Sequence, residues 1–297
     1  MDIMNKKTKI DMTYISFNYL ILILLFILTA YPFWYIFVVS INDVTDTIKG
    51  GITFLPRQLN FSSYSVILSD KTFTNSIFVT VLRTVIGTPF TVLCTAMLAF
   101  VFTHKQLVGR KWLRKTFIFT MYFGGGIIPT YMVMQMLGLI NSFWVYILPG
   151  AIGVYYMILI SAYIDGLPKE IQESAKIDGA NELQIFFKFI LPLSLPIIAT
   201  VSLFVAIGHW NSFFDCILYT TDLKLQTLQA TMVNILNQYQ TKELIDSAAA
   251  SAAKQQSTTP DGIRMAATVV STLPIIMLYP FVQKYFVKGI MLGSIKE

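Results

Sequence analysis

The sequence predicts an all-α membrane protein with six transmembrane helices. Of its 297 residues, 55% are hydrophobic and only 13% are charged, with a mean hydropathy of +0.63. A soluble protein carries about 25% charged residues. Six apolar runs each reach the length of roughly 20 residues that a helix needs to cross a bilayer core of about 30 Å.

The predicted spans follow one another along most of the chain. They cover residues 14–39, 75–102, 116–137, 142–163, 195–218 and 263–286. The first run is too long for the apolar part of a signal peptide and has no small-residue cleavage pattern after it, so we interpret it as a retained anchor. Several runs contain proline, which is tolerated in a membrane helix because neighbouring groups satisfy the freed carbonyls.

The distribution of positive charge predicts the orientation of the chain. Lysine and arginine are more than twice as frequent in the two tails, the second-to-third loop and the fourth-to-fifth loop as in the other loops. Positive loops stay in the cytoplasm, so both termini are expected there. The tails are residues 1–13 and 288–297, and the permease-like domain 14–287 contains an inner loop at 165–194 and an outer loop at 219–262. The same distribution explains the net charge of +6 without a nucleic-acid partner.

The inner loop is predicted to form two short helices at an angle. Pro168 suits the first turn of a helix that runs to about Asp178, and Gly179 supplies a residue that adopts positive φ and ends it. A second helix, at about 181–190, is closed by Pro192. Its apolar residues fall at helical spacing on one face, at Leu183, Phe186, Phe187 and Ile190.

Two interpretations of this helix pair remain open. It could lie on the membrane surface, or it could dock into a groove of another cytoplasmic protein. Its acidic residues favour docking, since a helix on an anionic leaflet prefers a basic polar face. These acidic residues are Glu170, Glu173, Asp178 and Glu182.

The inner loop resembles the EAA loop of bacterial ABC importer permeases. The matching residues are Glu173-Ser174-Ala175, then Gly179, then Phe189-Ile190-Leu191-Pro192. Ser174 stands where the family has alanine, and Phe189 where it has an aliphatic residue. Residues 121–130, 208–214 and 288–296 are also similar to carbohydrate-importer permeases. We identify the chain as a member of the maltose-permease-like family, nearest to its LplC/YtcP-type branch for complex oligosaccharides.

This resemblance implies a type I importer permease fold, placed in a bacterial plasma membrane and importing oligosaccharides. It implies three partners: a second, different permease subunit, a cytoplasmic ATPase dimer, and an extracellular binding protein that is lipid-anchored or soluble. The sequence has no phosphate-binding loop motif, so ATP and Mg are expected on the ATPase and no cofactor on this chain. The implied ATPase-coupling residues are Glu173, Ser174, Ala175, Asp178, Gly179, Phe186, Phe189, Leu191 and Pro192.

Polar residues inside the spans are candidates for the translocation path, because such groups usually face a cavity or the protein interior. Trp210, Asn211 and Phe214 in the fifth span, and Arg83 in the second, are the candidates. The alternative for Asn211 is interhelical hydrogen bonding. Arg83 either pairs or snorkels structurally, or contacts an acidic sugar. His209 is interpreted as a packing residue.

Other functions are weighed on the same residues. An intramembrane enzyme would need a catalytic pattern that the two histidines do not form, and a channel would leave the EAA-like spacing unexplained. Import of a polyol or glycerol phosphate stays open.

Cys94 and Cys216 lie in separate runs and predict no disulfide or metal site. The outer loop predicts a helix at 228–239 and a polar stretch at 247–259, which is either a tether or a contact for the binding protein.

Overall fold

The computed structural model describes residues 2–43, 46–47, 49–237 and 261–277. The chain divides into two compact units. The first contains Met1–Asp70 and residues 235–271, and the second contains residues 71–234 and the chain from Thr272 onward. The predicted C-terminal tail, the polar stretch 247–259 and the end of the sixth run lie outside the described residues.

The first unit contains the long helix α1 (Asp2–Ser40) and the short helix α2 (Ser62–Ser69). The predicted N-terminal tail is thus part of α1. The chain after α1 folds back through an isolated antiparallel bridge between Asn42 and Leu59. The buried amide of Asn42 holds this return, because its Oδ1 accepts from the backbone N–H of Arg57 at 2.8 Å and of Gln58 at 3.1 Å.

The second unit is organised around α3 (Lys71–Thr103), a helix of 33 residues. The helices that follow are α4 (Arg110–Tyr122), α5 (Ile127–Met136), α6 (Val154–Asp165), α7 (Glu170–Ile177), α8 (Glu182–Ile185), α9 (Leu195–Asn211) and α10 (Phe214–Tyr219). The short 3₁₀ turns Phe143–Tyr146 and Leu148–Gly150 precede α6. Helices α11 (residues 228–237) and α12 (residues 261–277) each contribute residues to both units. The helix predicted in the outer loop is present as far as it is described.

Only two of the described helices, α1 and α3, are long and apolar enough to cross a membrane alone. Three bent helix pairs pass the same test together, and the sixth predicted span is described only to residue 277. The predicted spans at 116–137, 142–163 and 195–218 are therefore each divided into shorter helical segments. Each run is largely apolar, but its helix is interrupted where the backbone leaves the helical conformation.

The local causes of these interruptions are visible in the backbone. The three glycines before α5 allow a bend of 114° between α4 and α5, with Gly126 at φ +91°. The chain bends by 47° before α6. After α9 the backbone of Ser212 is extended, which separates α9 from α10. Cys94 and Cys216 are both free thiols in the described structure.

Two apolar clusters pack around α3 at different heights. Residues of the C-terminal half of α3 pack against α6, α9 and the segment 170–190. Residues of its N-terminal half pack with α5, α10 and the 3₁₀ turn at Phe143–Tyr146. The helix α3 therefore connects the two regions that carry the candidate functional residues.

Gly87 allows α3 to approach α9 closely. A Cβ atom at this position would lie 2.7 Å from Nε2 of His209, so Gly87→Ala should displace the imidazole and lower the thermal unfolding midpoint of the purified protein. Gly208→Ala is the matched control, because nothing lies within 4 Å of its added Cβ and alanine favours helix by up to about 1 kcal/mol. Equal midpoints for the two variants would contradict this account.

Candidate functional site: a two-faced helix pair and a buried ion pair

Helices α7 and α8 and the turn between them form the predicted helix pair, which we call the hairpin (residues 170–190). Gly179 has φ +82°, which confirms the predicted positive φ. The turn is closed by hydrogen bonds from the backbone N–H of Gly179 to Lys176 O (3.1 Å) and of Ala180 to Ala175 O (2.9 Å). The glycine is therefore used for its backbone conformation.

The start of α8 is fixed by a capping box. The Asn181 side chain accepts from the Gln184 backbone N–H at 2.8 Å, and the Gln184 side chain accepts from the Asn181 backbone N–H at 2.9 Å. The α8 helix continues through a π-helical stretch, Phe186–Ile190, and ends at Leu193. The helix predicted at about 181–190 thus extends to Leu193, and an 83° bend follows before α9.

The hairpin has two distinct faces. Its inner face is buried in the core formed by α3, α6 and α9, and consists of Ala175, Ile185, Phe186 and Ile190. Its outer face leaves large apolar side chains exposed: Ile177 is 87% exposed, Leu183 58% and Phe187 46%. Of the four apolar residues predicted to share one face, Phe186 and Ile190 are buried, whereas Leu183 and Phe187 are exposed, although the Phe186 and Phe187 rings lie 4.9 Å apart.

The nine predicted coupling residues are divided between these faces. Glu173, Ser174, Asp178, Gly179, Phe189 and Pro192 are exposed, and Leu191 is half-buried. Ala175 and Phe186 are buried against the bundle, which makes them anchors of the hairpin.

Polar side chains join the hairpin to the end of α3. The His104 Nε2 lies 3.1 Å from Glu182 Oε2, and the Lys176 Nζ lies 2.8 Å from Glu182 Oε1. The hydrogen bond from Lys176, followed by the contact with His104, lowers the pKa of the Glu182 carboxyl despite partial burial. Glu182 is therefore ionised at neutral pH and links α7, α8 and the residue that follows α3.

A second polar cluster surrounds Arg83, within α3. The guanidinium is 4% exposed and forms a bidentate ion pair with Asp215, in which Nη1 donates to Oδ1 at 3.1 Å. It also lies 4.7 Å from the centre of the Tyr146 ring. Asp215 Oδ1 accepts further from the Ser212 hydroxyl and the Cys216 backbone N–H, both at 2.9 Å. This arrangement agrees with the structural alternative for Arg83, pairing within the bundle.

The other path candidates do not share one site with Arg83. A cavity of about 310 Å³ is lined by Arg83, Asp215, His209 and several tyrosines. Trp210 is 8% exposed and lines a separate cavity of about 60 Å³. Asn211 and Phe214 are exposed, and the Asn211 side chain accepts from Gln229 at 3.5 Å. Of the four candidates, only Arg83 borders the larger polar cavity.

Several residues were missed by sequence reasoning. No sequence pattern around His104 or Tyr146 indicates their contacts. Glu182, the partner of His104, lies 78 residues further along the chain. Arg83, the partner of Tyr146, lies 63 residues before it. The capping box is different, because asparagine followed three residues later by glutamine is a readable pattern. Asp215 in an apolar run also indicates a buried partner.

The fold and the hairpin define a class of protein: a membrane-embedded permease subunit of a binding-protein-dependent importer. The chain belongs to the family of binding-protein-dependent transport system inner membrane components, whose pattern matches residues 61–292. It is 36% identical over 277 residues to the polygalacturonan/rhamnogalacturonan transport system permease protein YtcP of Bacillus subtilis, covering 93% of this chain and 95% of that one. It is 38% identical to the protein LplC of the same organism, covering 91% of this chain and 90% of that one.

A solved structure has the same fold. It is a crystal structure of a bacterial ABC transporter involved in the import of the acidic polysaccharide alginate. One of its chains superposes with a TM-score of 0.83 at 30% identity, covering 93% of this chain and 97% of that chain. The chain is therefore an all-helical permease of the ABC importer class with several membrane-embedded segments.

Proposed function

We propose that this chain is the translocation subunit of an importer that carries oligosaccharides into a bacterial cell by ATP-driven alternating access. The observation that carries the proposal is the two-faced hairpin. One face is part of the core of the membrane bundle, and the other is exposed, partly apolar and partly acidic. A surface of this kind transmits movement from a separate protein into the membrane helices.

The hairpin is suited to act as a mechanical joint. Its anchors Ile185, Phe186 and Ile190 are each at most 2% exposed and contact α3, α6 and α9. A rigid-body movement of the hairpin would therefore displace these helices together, as alternating access by rocking requires. The exposed Glu173 is the proposed partner of a basic residue on the ATPase.

The proposed assembly places both termini and the hairpin in the cytoplasm, with six spans in total. A second, different permease completes the pathway, an ATPase dimer binds ATP and Mg and docks on the hairpin, and an extracellular binding protein delivers the substrate. The proposed regions are the tails 1–13 and 288–297, the coupling loop 165–194 and the outer loop 219–262. The names of the relatives support an oligosaccharide substrate, because one refers to polygalacturonan and rhamnogalacturonan and another to alginate.

The test of function is reconstitution of the whole complex in proteoliposomes. The permease, its partner permease and the ATPase are inserted, and the loaded binding protein is added outside with MgATP inside. The probes are galacturonan, alginate and galactose oligosaccharides, with glycerol phosphate as the competing solute. Uptake of an oligosaccharide that depends on both ATP and binding protein is expected. ATP-independent flux, or uptake of glycerol phosphate alone, would contradict the proposal.

The exposed outer face of the hairpin is the surface on which we propose that the ATPase docks. Ile177→Asp places a charge on a side chain that is 87% exposed and, as proposed, is desolvated by the ATPase. We expect less ATPase to co-purify with the permease, by roughly tenfold or more, because an unpaired charge at an interface costs several kcal/mol. Val108→Asp is the matched control, since Val108 is 91% exposed in a neighbouring loop. Equal ATPase recovery in both variants would contradict docking at Ile177.

A further inference from the structure

We propose that the cavity beside Arg83 and Asp215 is a subsite for an uncharged pyranose ring of the transported oligosaccharide, and that it disfavours rings that carry a carboxylate (uronates). This inference rests on the proposed import of oligosaccharides and names the kind of ring that this chain contacts. The cavity has a volume of about 310 Å³, which is at the lower end of the range for small-molecule sites. Its walls come from α3, α6, α9, α10 and the 3₁₀ turns before α6.

The cavity lies at the middle of α3 and not at either end. Along this helix it extends from Arg83 to Thr91. At a rise of about 1.5 Å per residue, Arg83 is about 18 Å from the start of α3 at Lys71, and Thr91 is about 18 Å from its end at Thr103. Transporters bind their substrates between helices near the bilayer midplane, so this depth suits a substrate subsite.

Two accessible aromatic rings supply the apolar part of the cavity. Tyr156 on α6 is half-buried and Phe204 on α9 is 43% exposed, and both line the cavity. Tyr146 and Tyr219 also line it, but they are at most 9% exposed and belong to its wall. The C–H face of a pyranose ring packs against an aromatic ring, while its hydroxyl groups need hydrogen-bond partners. Tyr156 and Phe204 therefore suit one face of a sugar.

Asp215 supplies an acceptor for a sugar hydroxyl group. Its Oδ1 accepts from Arg83 Nη1 at 3.1 Å, and from the Ser212 hydroxyl and the Cys216 backbone N–H at 2.9 Å each. Its Oδ2 accepts from Arg83 Nη2. Each oxygen of a carboxylate has about two acceptor sites, so Oδ2 retains one for a donor in the cavity.

The unequal exposure of the ion pair sets the preference for an uncharged ring. The Arg83 side chain is 4% exposed and that of Asp215 is 22% exposed, so the carboxylate is the more accessible of the two charges. The repulsion between two carboxylates is strong in a medium of low dielectric constant and is screened little by salt when the charges are partly buried. A uronate is therefore disfavoured. A lipid acyl chain is disfavoured as well, because it offers the ion pair no hydrogen bond.

Saturation-transfer difference NMR on the complete complex in nanodiscs measures this contact without the binding protein. The probes are galactobiose and digalacturonate, which carry a hydroxymethyl group and a carboxylate, respectively, on the exocyclic carbon of each ring. Spectra are recorded without nucleotide and with MgATP, and empty nanodiscs give the background. We expect transfer to galactobiose to exceed transfer to digalacturonate by roughly threefold or more, because of the charge repulsion.

Two results would overturn the proposal. Equal or greater transfer to digalacturonate would contradict the preference for an uncharged ring. Transfer to neither probe would contradict the subsite itself, and is the result expected if a side chain of the partner permease fills the cavity.

Two variants and one control assign the signal to this cavity. Tyr156→Ala removes an accessible ring and should raise the galactobiose concentration for half-maximal transfer by roughly two- to tenfold, the usual contribution of one aromatic contact. Tyr155→Ala is the matched control, because the Tyr155 ring packs 5.7 Å from that of Tyr156 but lies outside the cavity lining. Gly208→Leu should abolish transfer, since Gly208 lines the cavity and nothing lies within 4 Å of its added Cβ.

These outcomes are separable from the test of import. If the wild type takes up oligosaccharide with ATP, and transfer to galactobiose is unchanged in both Tyr156→Ala and Gly208→Leu, only the subsite fails. If the wild type shows no ATP-dependent uptake, the proposed function fails, and the role of the cavity in transport fails with it.

Discussion

Replacing Arg83 with methionine is expected to destabilise the permease more than any change of a surface charge. The guanidinium is 4% exposed and pairs with Asp215 while resting against Tyr146. Without it, the Asp215 carboxylate lies in the bundle with only its Ser212 and Cys216 hydrogen bonds. Removal of one partner of a buried ion pair costs about 3–5 kcal/mol. The measurement is the thermal unfolding midpoint in detergent, together with the amount of protein inserted in the membrane.

Two further variants make this result specific to the ion pair. The double variant Arg83→Met/Asp215→Leu removes both charges and should recover much of the lost stability, because the unpaired charge is gone. Arg110→Met is the control, since Arg110 Nη2 is 4.0 Å from Asp165, whose side chain is 45% exposed. Such pairs contribute at most about 1 kcal/mol. A midpoint for Arg83→Met equal to that of Arg110→Met would refute the structural role of Arg83.

The ion pair also restricts what Arg83 can do in transport. Its charge is already compensated by Asp215, so a substrate carboxylate would have to compete with a resident one. The cavity beside the pair offers tyrosine rings and hydroxyl acceptors, which suit the ring faces and hydroxyl groups of a sugar. The proposed contribution of Arg83 to the path is therefore to hold Asp215 and Tyr146 at the cavity wall.

The sequence predicts the hairpin well because its determinants are local. Gly179 stands between two short helical patterns, and its positive φ is a property of the residue and its immediate neighbours. The exposure of Leu183 and Phe187 could not be predicted in the same way. Helical spacing places these residues on one face with Phe186, but how much of that face the bundle covers depends on packing against α3, α6 and α9, which are distant in sequence.

The interruptions within the membrane spans, by contrast, could not be predicted from hydropathy. Hydropathy averaged over about 20 residues detects an apolar run and is insensitive to a bend within it. Three consecutive glycines before α5 are a local feature that permits a bend, whereas the extended backbone at Ser212 has no comparable pattern. The pairing of Arg83 with Asp215 joins residues 132 positions apart, and only the packing of α3 against α9 and α10 brings them together.

Replacement of Gly179, in the hairpin turn, by valine is expected to uncouple ATP hydrolysis from transport. Gly179 has φ +82° and nothing lies within 4 Å of an added Cβ, so valine meets no neighbour and acts only through the backbone. A β-branched residue in this region is strained by about 1–3 kcal/mol. The hairpin would relax by changing the direction of α7 relative to α8. The measurements are ATPase stoichiometry, hydrolysis with loaded binding protein, and oligosaccharide flux in the reconstituted complex.

Two other glycine substitutions serve as controls for the backbone strain that Gly179→Val introduces. Gly109 has φ +74° and also has nothing within 4 Å, so Gly109→Val carries a similar backbone penalty in a different loop and should leave coupling intact. Gly179→Asn should retain most coupling, because asparagine tolerates the left-handed region. The anchors Ile185, Phe186 and Ile190 stay in the core in every variant, so insertion of the permease is expected to be normal. Full flux at normal ATPase stoichiometry in Gly179→Val would show that the direction of the hairpin does not control transport.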